Sequence, residues 1–411
     1  MAIWEFNRGE WTEAYVFIKL LADGRIYGAD SNFNKNENLF LDILRILRYE
    51  SAGILEFKRQ TGTNPAEITA SCNSTTFKVI TAPELSQKAS YLYDAIKNIT
   101  DKKRKLSISE IETFLSSLKF SSPKAPVMPK EWQDKYGKKT DIIITTLSST
   151  DRAEATEGFS IKSHLGSSPT LFNSSEGSRF VYKVVGCSEQ DMHRINAIDY
   201  AKQMVQAIKD DNHLSLEFVQ TYGDICDSNL ALIDSQMTNI MQVALLLQIG
   251  YLGDDVKSDV PAIADALAEF NPLKVRHPEF FYPTKMKDFL FASFAGMTAA
   301  EKWDGRKRLT GGYIDVSPNG DVLYYRAMSD DVFSSYLYEN TYFDRPDRGV
   351  LKDLACLHGR AYLEGRTPSK EEIYEVEFKN NKKRPKKGNW GYIYEENGEY
   401  FFDLNFQIRF K

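Results

Sequence analysis

The sequence predicts a mixed α/β protein of the α+β kind, with additional helical and β-hairpin elements. Three observations carry this. Residues 138–183 hold a buried strand opening at Asp141, with Ile142, Ile143 and Ile144 as its apolar run; a second strand of mixed character, Gly158 to Ser163, ends in a Gly-Ser-Ser-Pro turn. Residues 311–326, GGYIDVSPNGDVLYYR, alternate cleanly around Asn319-Gly320, a strong hairpin signal. The opening segment and Leu230–Gly250 repeat apolar residues at helical spacing.

Taken in order, Asn7 caps a first helix, with Glu10 in a box-like position three residues on. Trp11, Tyr15 and Ile18 recur on one face, and Asp23-Gly24 stops the helix. Arg25–Asp30 reads as a short strand and Asn36–Tyr49 as an amphipathic helix. Gly53–Arg59 and Thr75–Ile80 read as strands; Ala82–Ile99 and Ile108–Leu118 read as helices. Residues 101–105, DKKRK, are a solvated turn, and the proline-rich residues 121–132 form a connection. Beyond residue 183, Gln190–Lys209, Leu230–Gly250, Pro261–Phe270 and Lys287–Phe294 read as helices, with an aromatic loop at 271–283. Val332–Tyr338 is a short helix, 379–390 a basic loop, and 397–410 a closing strand pair.

At 411 residues the chain has room for two or three domains with ample core. The expected division is an N-terminal α/β region at 1–125 that lends a helix to the core, a core and helical region at 126–300, and a β-rich region at 301–411. With 42% apolar and 27% charged residues, wholesale disorder is excluded. A net charge of −5 gives no global basic footprint, so any nucleic-acid binding must concentrate its Lys and Arg in one cleft. Cys72, Cys187, Cys226 and Cys356 have no paired spacing, which speaks against a zinc knuckle or a disulfide framework. The N-terminus is no signal peptide and no apolar run is long enough to span a bilayer, so the expected compartment is a reducing cytoplasm.

The chemistry gathers on the 138–183 stretch. Strand side chains alternate, so Ser160 and Lys162 share one face while Phe159 and Ile161 share the other. A carboxylate opening one strand and a lysine on the polar face of the next is the layout of a metal-dependent nuclease site. The carboxylate holds a divalent cation, and the lysine stabilises charge on a phosphate or its attacking water. The acid usual two residues before the lysine is replaced by Ser160, whose hydroxyl supplies hydrogen bonds but no charge. Two residues compete to supply the second carboxylate. Glu13 lies on the first helix; Glu157 is nearer in sequence but has the wrong strand parity unless Gly158 carries a bulge. Asn173, Ser174, Ser175 and Arg179 follow the turn as polar contacts for a phosphate backbone, against the plainer reading of a solvated loop. The five histidines show no ligand spacing; His164 shares the face of Lys162 and can approach the same site. No phosphate-cradling or dinucleotide-binding glycine motif is present.

Residues 158–175, GFSIKSHLGSSPTLFNSS, resemble the signature of the HpaII family of type II restriction endonucleases. The opening 7–30, 303–325, 336–344 and 403–410 resemble the same family in the same order. The resemblance implies a divergent PD-(D/E)XK nuclease core and Mg²⁺-dependent cleavage of double-stranded DNA at a short palindrome, CCGG for the family's namesake. It also implies a cognate DNA methyltransferase, a cytoplasmic bacterial or archaeal setting, and room for a homodimer. Carried over, the acid-strand-lysine pattern falls on Asp141, Ser160 and Lys162, with Glu13 as supporting acid. The rival expectation is a sequence-specific DNA-binding protein that keeps the fold but has lost catalysis through Ser160.

Overall fold

The structure, a computed structural model, describes residues 4–29, 34–60, 62–98, 105–166, 168–253, 256–307, 310–326, 330–345, 349–378 and 390–411. The expected basic turn at 101–105 and basic loop at 379–390 lie outside the described residues except for Lys105 and Trp390.

Helix α1 (Arg8–Asp23) begins where the sequence places it. The Asn7 side chain accepts the Glu10 N–H at 3.0 Å, and Glu10 returns the bond to the Asn7 N–H at 2.9 Å. Gly24, at φ 69°, closes the helix in the left-handed region. A cap contributes about 1 kcal/mol. Each fully buried large apolar side chain contributes on the order of 1.5–3 kcal/mol, and Trp11, Val16, Ile18, Leu20 and Leu21 are all buried. Packing therefore fixes α1, and the cap only sets where it starts.

Strands β1 (Arg25–Ala29), β2 (Lys35–Glu50), β3 (Gly53–Arg59), β4 (Glu67–Cys72) and β5 (Thr75–Thr81) follow, then helices α2 (Ala82–Lys97), α3 (Ser109–Ser117) and α4 (Lys130–Tyr136). Strands β6 (Ile142–Ser148) and β7 (Glu154–Ser163) come next. The 36–49 segment is thus a strand, correcting the expected helix. A register shift between Ile43 and Arg45 slips the alternation, so the buried residues fall at Leu41, Ile43 and Ile46, a spacing that imitates a helix. Pairing on both edges, with β1 and then β3 on one side and β6 on the other, outweighs local propensity.

Strands β8 (Thr170–Phe172) and β9 (Phe180–Val185) precede helices α5 (Glu189–Asn196) and α6 (Ala201–Lys209), and β10 (Ser215–Thr221) follows them, so the single helix expected at 190–209 is two. Helices α7 (Asp224–Ala231), α8 (Met237–Gln248), α9 (Val260–Phe270) and α10 (Pro278–Phe294) follow. Helix α10 starts within the expected aromatic loop, with Pro278 in its first turn and Pro283 inside it. The hairpin β11 (Gly312–Val316) and β12 (Val322–Arg326) forms as expected. The chain ends with α11 (Asp330–Glu339), β13 (Thr341–Asp344), α12 (Val350–Leu363), α13 (Lys370–Phe378), β14 (Ile393–Glu396), β15 (Glu399–Leu404) and β16 (Gln407–Phe410).

Contacts divide the chain into two compact units, residues 1–169 with 307–336, and residues 170–306 with 337–411. The first holds a nine-stranded sheet in the order β1-β12-β11-β7-β6-β2-β3-β4-β5. Because β1 also pairs with β2, the six strands from β1 to β2 in that order close into a barrel, and β3–β5 extend from it. The core of this unit joins α1 and α2 to one sheet face through Ile142, Ile144, Phe159 and Ile314. Lys162 lies opposite Asp315 in the parallel β7–β11 register, on the other strand parity.

The second unit holds a four-stranded sheet, β10-β9-β15-β14, and a three-stranded sheet, β13-β16-β8. Strands β15 and β16 belong to different sheets, which corrects the expected closing pair. The corner between them is fixed by buried Asn405, which accepts from Ser178 Oγ at 2.8 Å and donates to the Ser175 carbonyl at 2.9 Å. Phe406 is fully buried and stacks on Phe172.

Candidate active site

In the first unit α1, β2, the segment between α3 and α4, and the start of β6 line one cavity. Glu13, Arg48, Ala125, Thr140 and Asp141 are among its walls. Asp141 stands one residue before β6, its N–H bonded to the Phe159 carbonyl at 2.9 Å. Its Oδ2 accepts the Ile161 N–H at 2.7 Å and the Ser160 hydroxyl at 3.1 Å. The carboxylate is thus held against β7 beside Ser160. Burial raises the Asp141 pKa, against the pull of Lys162 and these two donors.

Glu13 reaches the same cavity from α1. Its Oε2 accepts the Ala125 N–H at 2.6 Å. Burial, and then the Asp141 carboxylate, raise its pKa to about 8. Burial lowers the Lys162 pKa, while Asp141 and Glu13 both oppose that shift. The three side chains therefore act on one another electrostatically. Glu157 stands apart. No register shift interrupts the β6–β7 pairing, so Gly158 carries no bulge, and Glu157 pairs with Ile144. Its carboxylate meets Arg326 at 2.8 Å.

Gly158 does something else. A Cβ there would lie 2.5 Å from Thr140 Oγ1 and 2.7 Å from the Tyr136 carbonyl. The absent side chain lets the 136–140 turn rest on β7, which carries Lys139 and Asp141 toward Lys162. Lys139 was not foreseen. Burial first and Lys162 second lower its pKa to about 7, so two lysines bear on the site. The sequence signal was only its closeness to Asp141, two residues on, because residues 138–139 form a turn in which strand alternation places no side chain. Asp315 was also missed. It is 3% exposed and lies 2.9 Å from His164 Nε2, so His164 is held by an acid next to the site strand.

The loop candidates belong to the second unit, and two of them are committed inside it. Arg179 is 2% exposed, ion-paired to Asp403 at 2.6 Å and seated over the Tyr222 ring. The Ser175 hydroxyl is buried. Long-range partners from the C-terminal segment, Asp403 and Asn405, enclose the turn around both. Asn173 is exposed and Ser174 half-buried.

The carboxylates of Asp141 and Glu13 line one cavity and both offer hard oxygen donors, the donor set that suits a divalent cation, and burial disfavours each in its charged form, a cost that a bound cation would offset. Among the described residues, the acid and histidine group of three whose ligand atoms lie close enough to chelate is Asp191, Asp211 and His213. Arg194 already pairs with both aspartates, at 3.0 and 2.6 Å, so this cluster reads as a surface ion-pair network.

A pH prediction follows from Glu13. Its pKa rises from 4.5 unfolded to about 8 folded. The folded chain keeps a proton that the unfolded chain has lost, so stability falls as pH rises from 4.5 to 8 and then levels. In EDTA, Glu13→Gln is expected to flatten this slope. The variant should match the parent below pH 4.5 and exceed it above pH 8 by on the order of 1–4 kcal/mol. Urea unfolding across that range checks it, and parallel curves for the two proteins would refute it.

No described helix is long and apolar enough to cross a membrane. No solved structure matches the chain. The family model for the HpaII restriction endonuclease matches residues 7–350. The type II restriction enzyme HpaII of Haemophilus parainfluenzae is 31% identical over 410 residues, covering 98% of each chain. On both findings, the chain belongs to the HpaII restriction endonuclease family, a family of site-specific deoxyribonucleases.

Proposed function

We propose that this chain cleaves double-stranded DNA at a short palindromic site by Mg²⁺-dependent phosphodiester hydrolysis, with CCGG as the first sequence to test. One observation carries the reading: Asp141, one residue before β6, and Glu13 of α1 line one cavity, and the Asp141 carboxylate is hydrogen-bonded to Ser160 and Ile161 of β7, the strand that carries Lys162. Asp141 and Glu13 would hold the metal. A bound Mg²⁺ supplies a water of lowered pKa and offsets charge on the phosphate. Lys162 and Lys139 offset the negative charge that builds on the phosphate as water attacks in line. Ser160 holds Asp141 in place, and Glu13 supplies from a helix the second carboxylate that the strand lacks. The site is thereby read as a divergent PD-(D/E)XK arrangement carried on a sheet that closes into a barrel. A restriction enzyme of this kind acts beside a DNA methyltransferase that protects the host, and a palindromic target suits a homodimer.

Plasmid incubated with the protein and Mg²⁺, with an EDTA control, should give discrete bands, and the ends of the fragments give the target. A gel shift without cutting would favour the non-catalytic binding protein. Glu13→Gln is expected to reduce cleavage much more than Glu157→Gln, because Glu157 is engaged by Arg326 away from the cavity. Single-turnover rates for the two variants decide this; an inactive Glu157→Gln beside an active Glu13→Gln reverses the assignment.

A further inference from the structure

We propose that Arg48 is a positioning residue for cleavage, setting the Glu13 carboxylate through a single peptide group. The proposal rests on the reading of Glu13 as the second acid. Arg48 lies on β2 and lines the cavity with Glu13 and Asp141. Its Nη2 donates to the Ser122 carbonyl at 2.9 Å and to the Lys124 carbonyl at 2.6 Å. Its Nε donates to Glu50 at 2.6 Å, and its guanidinium covers the Phe120 ring. Glu50 in turn accepts the Ser121 hydroxyl at 2.6 Å and the Ser121 N–H at 3.3 Å. The ion pair is deeply buried, with side chains 10% and 1% exposed.

The peptide joining Lys124 to Ala125 connects this clamp to the site. Its carbonyl is held by Arg48, and its N–H is the one that donates to Glu13 Oε2 at 2.6 Å. A peptide group is planar, so fixing the direction of the C=O fixes the direction of the N–H. Arg48 thereby aims the donor that orients Glu13. A guanidinium is suited to this because it binds two carbonyls and a carboxylate in a fixed fork; a lysine ammonium in its place keeps the charge but loses that geometry. Misplacement of a catalytic group by about 1 Å lowers rates by up to roughly 10²-fold.

The test is Arg48→Lys beside Glu13→Gln, with folding checked by circular dichroism, DNA binding measured by gel shift in EDTA, and single-turnover cleavage measured across Mg²⁺ concentrations. Arg48→Lys is expected to cleave about 10- to 100-fold more slowly and to need more Mg²⁺ for half-maximal rate. Its metal-free DNA affinity should stay unchanged. Loss of DNA affinity in proportion to the rate would make Arg48 a DNA contact and overturn the proposal. A wild-type rate and Mg²⁺ dependence would overturn it as well. If Glu13→Gln cleaves at the wild-type rate, the reading of Glu13 falls and the positioning role with it, whatever Arg48→Lys does. Should Arg48→Lys fail to fold, because the ammonium cannot hold Glu50 and both carbonyls at once, Ala125→Pro deletes the N–H that donates to Glu13 Oε2. That variant should show the same rate loss and the same raised Mg²⁺ requirement; full activity in it also overturns the proposal.

Discussion

Lys162→Ala is expected to lower the single-turnover cleavage rate by about 10²-fold or more, with metal-free DNA binding largely kept. The size of the effect follows from where the ammonium sits. Burial alone works against its charge, and the two carboxylates that oppose this, Asp141 and Glu13, are the residues read as metal ligands. A cation there is held ready, at the polar face of β7, for negative charge that develops during attack. Alanine leaves the strand pairing to β6 and β11 intact, since that pairing is made by backbone groups. The fold should therefore persist, and the loss should fall on the chemical step. Cleavage near the wild-type rate would end the assignment. Proportional loss of gel-shift affinity would instead make Lys162 a binding residue.

Much of this site was legible because it is local. Asp141 ahead of an isoleucine run, and Lys162 on the polar parity of the next strand, needed only the alternation of side chains along a strand. The alternation left Glu157 in competition with Glu13 through a bulge at Gly158, and the unbroken β6–β7 register carries no such bulge. The first helix was legible from its cap, its apolar repeat and Gly24. What stayed hidden depends on distant partners. Strand β2 looked helical because a register shift breaks its alternation, and only β1, β3 and β6 make it a strand. That misreading concealed Arg48, whose value comes from carbonyls more than seventy residues away. The Asn-Ser-Ser turn offered polar contacts for a phosphate backbone or a plain solvated loop, yet Asp403 and Asn405 from the end of the chain close over Arg179 and Ser175. Asp315 was read as part of a hairpin, and only the parallel pairing of β11 with β7 sets it beside the site strand.

Asp141→Asn isolates charge from shape. The amide oxygen of asparagine can still accept from the Ile161 N–H and the Ser160 hydroxyl, the two bonds that hold the side chain against β7. The geometry of the wall is then conserved and one negative charge is lost. Without metal that charge is unfavourable, since burial raises the Asp141 pKa and Asp141 helps push Glu13 to about 8. The variant should thus be at least as stable as the parent in EDTA at neutral pH. With metal the balance reverses, because a neutral amide is a poorer ligand for a hard cation than a carboxylate. Cleavage is expected to fall by about 10²-fold or more, and calorimetry on the DNA complex should show weakened Mg²⁺ binding. A variant that is inactive yet binds Mg²⁺ as the parent does would move the metal away from Asp141. A variant destabilised in EDTA would mean that Asp141 serves the fold as an ion-pair partner of Lys162 and Lys139, ahead of any role in holding a cation.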